Sequence, residues 1–171
     1  MKRLTILRHA KSSWDDPALD DFGRRLNERG WKAARRLGRE LEDRGVHFDL
    51  VVASTAARVR ETIDGFTEKL KLNVEIRHEP RMYGASEATL LEIVRELPES
   101  AHAPLLVGHN PGLERLVVGL THGDPKGLRD RVAEKFPTAA MAQIELPAQR
   151  WAEVEPANGE IAELIFPSEL G

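Results

Sequence analysis

Three short stretches of the chain lead from apolar, strand-like residues straight into side chains that could do chemistry. Leu4-Thr-Ile-Leu7 runs into Arg8-His9 and then Ala10-Lys-Ser12. Leu50-Val-Val-Ala53 runs into Ser54-Thr55, with Arg58 shortly behind. Pro104-Leu-Leu-Val107 runs into Gly108-His109-Asn110. Arginine offers a planar fork that matches phosphate oxygens. Histidine can act as a covalent nucleophile or as a further donor. A helix N-terminus adds free N–H groups and a positive dipole end. The ligand that suits such a set is a dianionic phosphoryl group, and the matching chemistry is phosphoryl transfer. Neither G-x-x-x-x-G-K-[ST] nor G-x-G-x-x-G occurs, so nucleotide cradles of those kinds are not expected. Each piece alone is weak, because a histidine at a strand end is more often a capping or surface residue than a catalyst. Arg58 is sharper. It sits in the first turn of a helix, where a cation opposes the helix dipole by about 0.3–1 kcal/mol, and departures from local rules concentrate at functional sites. Arg60 shares that turn and is read as solvent-facing, with Glu61 as its neighbour.

These residues act together only if their strands run side by side. A strand is expected over Arg3–Leu7 and a loop rich in Asp, Arg, Gly and Pro over 15–25. A helix follows over Asn27–Arg44, with Trp31, Ala34, Leu37 and Leu41 at helical spacing and Gly45 as terminator. Phe48–Ala53 reads as a buried strand ending at Ser54-Thr55, a natural helix N-cap pair. The next helix carries Val59, Ile63, Phe66 and Leu70 on one face. A strand is expected over Asn73–Ile76. Ser86 caps a helix with Leu90, Val94 and Leu97 inward. Pro104–Val107 is a strand. Asn110 suits an N-cap and Pro111 the first helical position, before Leu113, Leu116, Val117 and Leu120. Beyond about residue 123 strands are expected over 140–146, 151–155 and 161–166, separated by short turns. Strands alternating with helices imply an α/β fold. The expectation is a three-layer α/β/α sandwich with a mainly parallel sheet and antiparallel C-terminal additions. Ligands in such folds bind outside the carboxyl ends of the strands, where all three stretches place their chemistry.

Composition narrows the alternatives. At 171 residues the chain fits one domain spanning 1–171, with enough residues for a real core. A hydrophobic share of 41% beside 31% charged residues describes a globular chain, not a disordered one. The net charge of −3 argues against a nucleic-acid partner. No cysteine is present, which removes disulfides, thiolate metal sites and a cysteine nucleophile. His47, His78, His102 and His122 lie in polar contexts and read as surface residues. No histidine spacing suggests a metal site. The apolar run behind Met-Lys-Arg stops at Arg8, too short for a secretory leader, and no segment is apolar enough for a membrane span. A cytoplasmic protein with no membrane partner is the expectation.

Arg8-His-Ala-Lys-Ser12 resembles the Arg-His-Gly signature of the histidine phosphatases, the phosphoglycerate mutase-like superfamily. Ser54-x-x-x-Arg58-x-x-x-Thr62 resembles its second motif and Gly108-His109-Asn110 its third, in family order. The wording RHAKSSW, MYGAS at 82–86 and KFPTAA at 135–140 resemble the SixA-type phosphohistidine phosphatases most. The resemblance implies that neutral His9 attacks phosphorus and becomes phosphorylated, while Arg8, Arg58 and His109 hold the phosphoryl oxygens and stabilise developing charge. It implies lesser contacts from Ser12 and Asn110, no metal and no cofactor. The implied substrate is a histidine-phosphorylated protein, with phosphate or another oxyanion as a pocket ligand.

The chain departs from the family pattern in two places. Ala10 stands where many members have glycine. No carboxylate sits convincingly where many members place the acid that protonates the leaving oxygen; Glu79, Glu87 and Asp15 are the candidates, with Tyr83 between the first two. An alkoxide leaving group gains much from protonation, whereas the imidazole of phosphohistidine can take its proton from solvent and leave neutral. Two other readings remain: a general phosphomonoesterase acting on small molecules or on phosphoserine or phosphothreonine, and a non-catalytic module that binds phosphate or phosphoproteins. The C-terminal segment, about 124–171, is expected to complete the sheet more than to shape the substrate mouth.

Overall fold

Strand β1 (Lys2–Arg8) alternates its buried side chains between two cores. Leu4 and Ile6 face one, Leu7 the other, as the period of two in a strand requires. The fold containing this strand is a computed structural model that describes residues 1–170. Strands β2 (Leu50–Ala53) and β4 (Pro104–Gly108) are buried at every position, the pattern of a sheet covered on both faces. With β3 (Ile76–His78), β5 (Met141–Leu146) and β6 (Glu160–Ile165) they form one six-stranded sheet in the order β3-β2-β4-β1-β5-β6. The first four strands are parallel; β5 and β6 are antiparallel additions.

Helices α1 (Glu28–Asp43) and α2 (Ala57–Thr67) cover one face, packing Leu37, Leu41, Val59, Ile63 and Phe66 on Leu7, Val51, Leu105 and Val107. Helices α3 (Glu87–Arg95), α4 (Gly112–Leu120) and α5 (Leu128–Glu134) cover the other, with Leu90, Val94, Leu113, Leu116 and Val132 against Leu4, Ile6, Val52 and Leu106. This is the three-layer α/β/α sandwich expected from the sequence. The chain leaves β1 for β2, skipping the place that β4 later fills, and the helices change face there. That is a topological switch point, where the carboxyl ends of neighbouring strands open a crevice.

Several local expectations shift. Asn27 caps α1 through its side chain, accepting from the Gly30 N–H at 2.8 Å, and Ser86 caps α3 the same way from Thr89. The third strand lies at Ile76–His78 rather than 73–76, because its pairing follows the four residues of β2. Residues 151–155 hold no strand. Trp151–Glu153 is a single 3-10 turn, and the fully buried Trp151 indole donates to the Ala101 carbonyl at 3.0 Å. Helix α5 was not foreseen; Val132 is its one buried residue, so it carries almost no apolar stripe. Ser54-Thr55 does not cap α2, whose boundary residue is Ala56. The α4 boundary falls on Pro111, one residue later than expected, although Asn110 Oδ1 still accepts from the Glu114 N–H. Among the described residues no helix is long and apolar enough to cross a membrane.

Candidate active site

The ladder between β1, β4 and β2 extends one residue beyond the strands. Arg8 pairs with Gly108 in register, and the His9 N–H donates to the Gly108 carbonyl at 3.0 Å. On the other side of β4, the Ser54 N–H donates to the Val107 carbonyl at 3.0 Å. These bonds put His9, His109 and Ser54 side by side at the switch point. The two histidine rings lie 5.3 Å apart, centroid to centroid. Ser54 Oγ and His109 Nε2 are hydrogen-bonded at 2.7 Å, so the serine read as a helix cap instead holds the second histidine.

Six sequence-selected residues line one cleft of about 330 Å³: Arg8, His9, Ser12, Arg58, His109 and Asn110. His9 Nδ1 donates to the Ala10 carbonyl at 2.6 Å. With Nδ1 as donor, the lone pair of the neutral ring resides on Nε2. Burial holds His9 far below the usual imidazole value, at about 3, and the nearby His109, Arg58 and Arg8 push the same way against the Ala10 carbonyl. Burial likewise lowers His109 to about 4, with Arg58 next in effect. Both rings are therefore uncharged at neutral pH. Burial also lowers Arg8, opposed by Glu114. Arg8 Nη1 donates to the Phe136 carbonyl at 3.1 Å, and Asn110 Nδ2 donates to the same oxygen at 2.8 Å. Among the described residues, Arg8 Nε, Arg58 Nε and His109 Nδ1 are buried without a protein partner. The oxygens of a bound phosphoryl group would supply acceptors of the kind these groups lack.

The proton-donor candidates lie elsewhere. Asp15, Glu79 and Glu87 do not line the cleft. Asp15 is exposed on the loop after β1. Glu79 is held by Arg81 and accepts from its backbone N–H, and Glu87 lines a separate depression with Glu114 and Arg115. Asp21 is not in the cleft lining either, but it engages the cleft residue Arg58; the sequence did not single it out. Its Oδ2 accepts from Arg58 Nη2 at 3.1 Å and from the Tyr83 hydroxyl, and its carbonyl accepts from Arg58 Nη1 at 2.6 Å. The Tyr83 hydrogen bond, followed by Arg58, holds Asp21 down at about 2, and the same bond raises Tyr83. The Tyr83 ring stands edge-on to His109 at 5.5 Å.

Lys11, Trp14, Arg24 and Thr138 complete the lining, and none was anticipated as a site residue. Arg24 Nη1 donates to Ser12 Oγ at 2.7 Å and its guanidinium lies over the Trp14 ring at 3.4 Å. Thr138 and the Phe136 carbonyl show that the segment before β5 helps to build the cleft, so the C-terminal region, expected chiefly to complete the sheet, does both. Its link to β1 is backbone, the Ala139 N–H donating to the carbonyls of Arg8 and His9. Arg60 is exposed and donates to the Thr55 carbonyl; Glu61 faces Arg25 instead. The other four histidines are exposed.

Known proteins share this fold. The profile of the histidine phosphatase superfamily (branch 1) matches residues 4–103. An uncharacterised protein of Mycobacterium tuberculosis (strain H37Rv) is 33% identical over 163 residues, covering 94% of this chain and 99% of the relative. Among solved structures, a protein of Nakamurella multipartitia provisionally assigned as the phosphohistidine phosphatase SixA superposes with a TM-score of 0.84 at 27% identity, covering 97% and 96% of the two chains. The protein histidine phosphatase SixA complexed with tungstate shares the fold, with a TM-score of 0.78 at 21% identity and 97% of each chain covered. A strand-end pair of neutral histidines among arginines, on this sheet order and with these relatives, has one reading: the chain belongs to the histidine phosphatase superfamily, branch 1, and is SixA-like.

Proposed function

We propose that the chain is a metal-independent phosphohistidine phosphatase acting on protein-borne phosphohistidine in the cytoplasm. The observation that carries the reading is the state of His9: neutral, with Nδ1 tied to the Ala10 carbonyl and the Nε2 lone pair free, in a cleft shared with Arg8 and Arg58. His9 Nε2 attacks phosphorus in line. The bond between phosphorus and the substrate imidazole breaks, and that imidazole takes a proton from solvent and leaves neutral. Water then attacks the phosphorylated His9, releasing inorganic phosphate and restoring the ring. Arg8, Arg58 and His109 hold the phosphoryl oxygens and offset the charge that builds on them. Ser12 and Asn110 orient the pocket.

The choice of leaving group rests on the carboxylates. Asp21 is ionised at neutral pH and engaged by Arg58 and Tyr83, so it has no proton to give. A site of this kind handles a phosphoramidate better than an alkyl ester, whose leaving oxygen needs protonation. The tungstate complex of the SixA protein supports an oxyanion as pocket ligand.

Phosphate release is to be measured from a histidine-phosphorylated carrier protein, an alkyl phosphate and an aryl phosphate, with wild type and His9→Ala and without added metal. Release from phosphohistidine far above that from the alkyl ester, abolished in His9→Ala, is the expected result. Faster turnover of the alkyl ester would replace this reading with a general phosphomonoesterase. No His9-dependent release from any substrate would leave a binding module.

A further inference from the structure

Helix α1 and its approach carry charge out of proportion to the rest of the molecule. Residues 24–39 hold seven arginine or lysine side chains against one carboxylate, Glu28, in a chain of net charge −3. Lys32, Arg35, Arg36 and Arg39 recur at the i, i+3, i+4, i+7 spacing of one helix face. With Glu28 and Trp31 they line a surface trough of about 580 Å³, larger than the cleft of about 330 Å³. Arg35 is neutralised by Glu68. Lys32, Arg36 and Arg39 make no ion pair among the described residues. Lys32 with Arg36, and Arg35 with Arg39, are like charges one turn apart, an arrangement that opposes helix formation. A face that needed only solvation could mix its signs, as the end of the same helix does where Glu40 pairs with Arg44.

The basic face starts beside the cleft. The first turn of α1 rests on the backbone just after His9: the Asn27 N–H donates to the Lys11 carbonyl at 3.1 Å, and a Cβ on Gly30 would lie 2.1 Å from that same oxygen. Lys11 and Arg24 line the cleft itself. From Gly30 to Arg39 the helix rises about 14 Å, which an extended chain covers in about four residues. A polypeptide with its phosphohistidine in the cleft can therefore lay neighbouring residues along α1.

We propose that the outer face of α1 is a docking strip for an acidic segment of the phosphohistidine-bearing protein. The proposal rests on the phosphohistidine reading and adds to it a rule of partner choice: carboxylates near the modified histidine. Complementary charge of this kind raises the rate of encounter and fixes orientation. A protein segment fits better than nucleic acid, because the rest of the chain has an acidic excess that repels a long polyanion continuing past the strip.

The test uses phosphohistidine peptides of one core sequence with a block of glutamate, serine or lysine about four residues from the phosphohistidine. Wild type is expected to show kcat/KM about ten-fold higher for the glutamate peptide than for the serine peptide, mainly through KM. The advantage disappears in the Lys32→Glu/Arg36→Glu/Arg39→Glu variant and in high salt, while free phosphohistidine is turned over equally by both proteins. Fluorescence anisotropy of the same peptides with His9→Ala measures docking without turnover, so loss of phosphatase activity and loss of docking are read separately. Equal binding of the three peptides would overturn the strip. So would a mixed-sequence oligonucleotide that displaces the glutamate peptide at lower concentration than the serine peptide's own binding requires, and that result would assign the face to nucleic acid.

Discussion

At the scale of single residues, the proposed nucleophile, His9, is braced by a threonine that lies outside the cleft lining. Thr62 Oγ1 accepts from the Ala10 N–H at 2.9 Å and donates to the Arg58 carbonyl at 2.7 Å. It is fully buried, and it ties the residue after His9 to the helix that carries Arg58. The Ala10 carbonyl in turn fixes the His9 tautomer, so the threonine acts on His9 through one peptide unit. Thr62→Val keeps the shape and leaves the Ala10 N–H unpaired, a loss of about 1–3 kcal/mol. The expected outcome is a lower Tm and a kcat for phosphohistidine reduced about ten-fold, since small misplacements of reacting groups are costly; Thr62→Ser, which retains both hydrogen bonds, restores the rate. Thermal unfolding beside steady-state kinetics of the two variants checks it. A normal kcat in Thr62→Val would mean that the bond serves stability alone. The sequence exposed this residue through its place in the second motif, but not its partner, since Ala10 lies 52 residues away.

At the scale of elements, the loop between β1 and α1 works as a strap across the site. Asp21 from this loop engages Arg58, Arg24 and Tyr83, and Phe22 packs edge-on against Tyr83 at 5.1 Å. Its carboxylate lies where it offsets the positive field that a phosphate dianion would meet. Asp21→Asn removes that charge, and the inhibition constant of inorganic phosphate is expected to fall by about two- to five-fold, the range set by a partly exposed ion pair. Weaker phosphate inhibition would instead assign Asp21 the task of positioning Arg58. None of this was legible in the sequence, where residues 15–25 read as a loop rich in turn formers. Pairings across 37 and 62 residues leave no local pattern. Elements with a broad apolar face were legible, because α1, α2, α3 and α4 each bury several residues at helical spacing. Helix α5 buries only Val132, and the Trp151 turn imitates a strand by its composition. Ser54 misled for a different reason: a residue type that caps helices had been taken up by His109.

At the scale of the whole molecule, the alternation of strands and helices was enough to imply that the three motif-bearing strand ends meet, because a parallel sheet sends its carboxyl ends to one side. The strand order, which makes β4 the neighbour of both β1 and β2, came only with the structure. That convergence has a cost for folding, since it buries two imidazoles among arginines. The unfolded chain protonates such rings near the ordinary value of 6.5, the folded chain only near 3 for His9 and 4 for His109. Between those values the unfolded state binds more protons, so stability falls as pH drops through the window; the contribution is complete above about 6.5. From about pH 7 to about pH 5 the loss is on the order of 2 kcal/mol for each ring. Asp21 adds nothing to that interval, because its carboxyl is ionised in the folded chain down to about 2 and its ordinary value is 3.8. Urea unfolding at the two pH values therefore separates the two histidines from Asp21. Wild type should lose stability on acidification, and the His9→Asn/His109→Asn variant should lose markedly less, the exposed histidines contributing equally to both. A variant as acid-sensitive as wild type would mean that the two rings accept protons in the folded state, and the neutral nucleophile inferred for His9 would go with them.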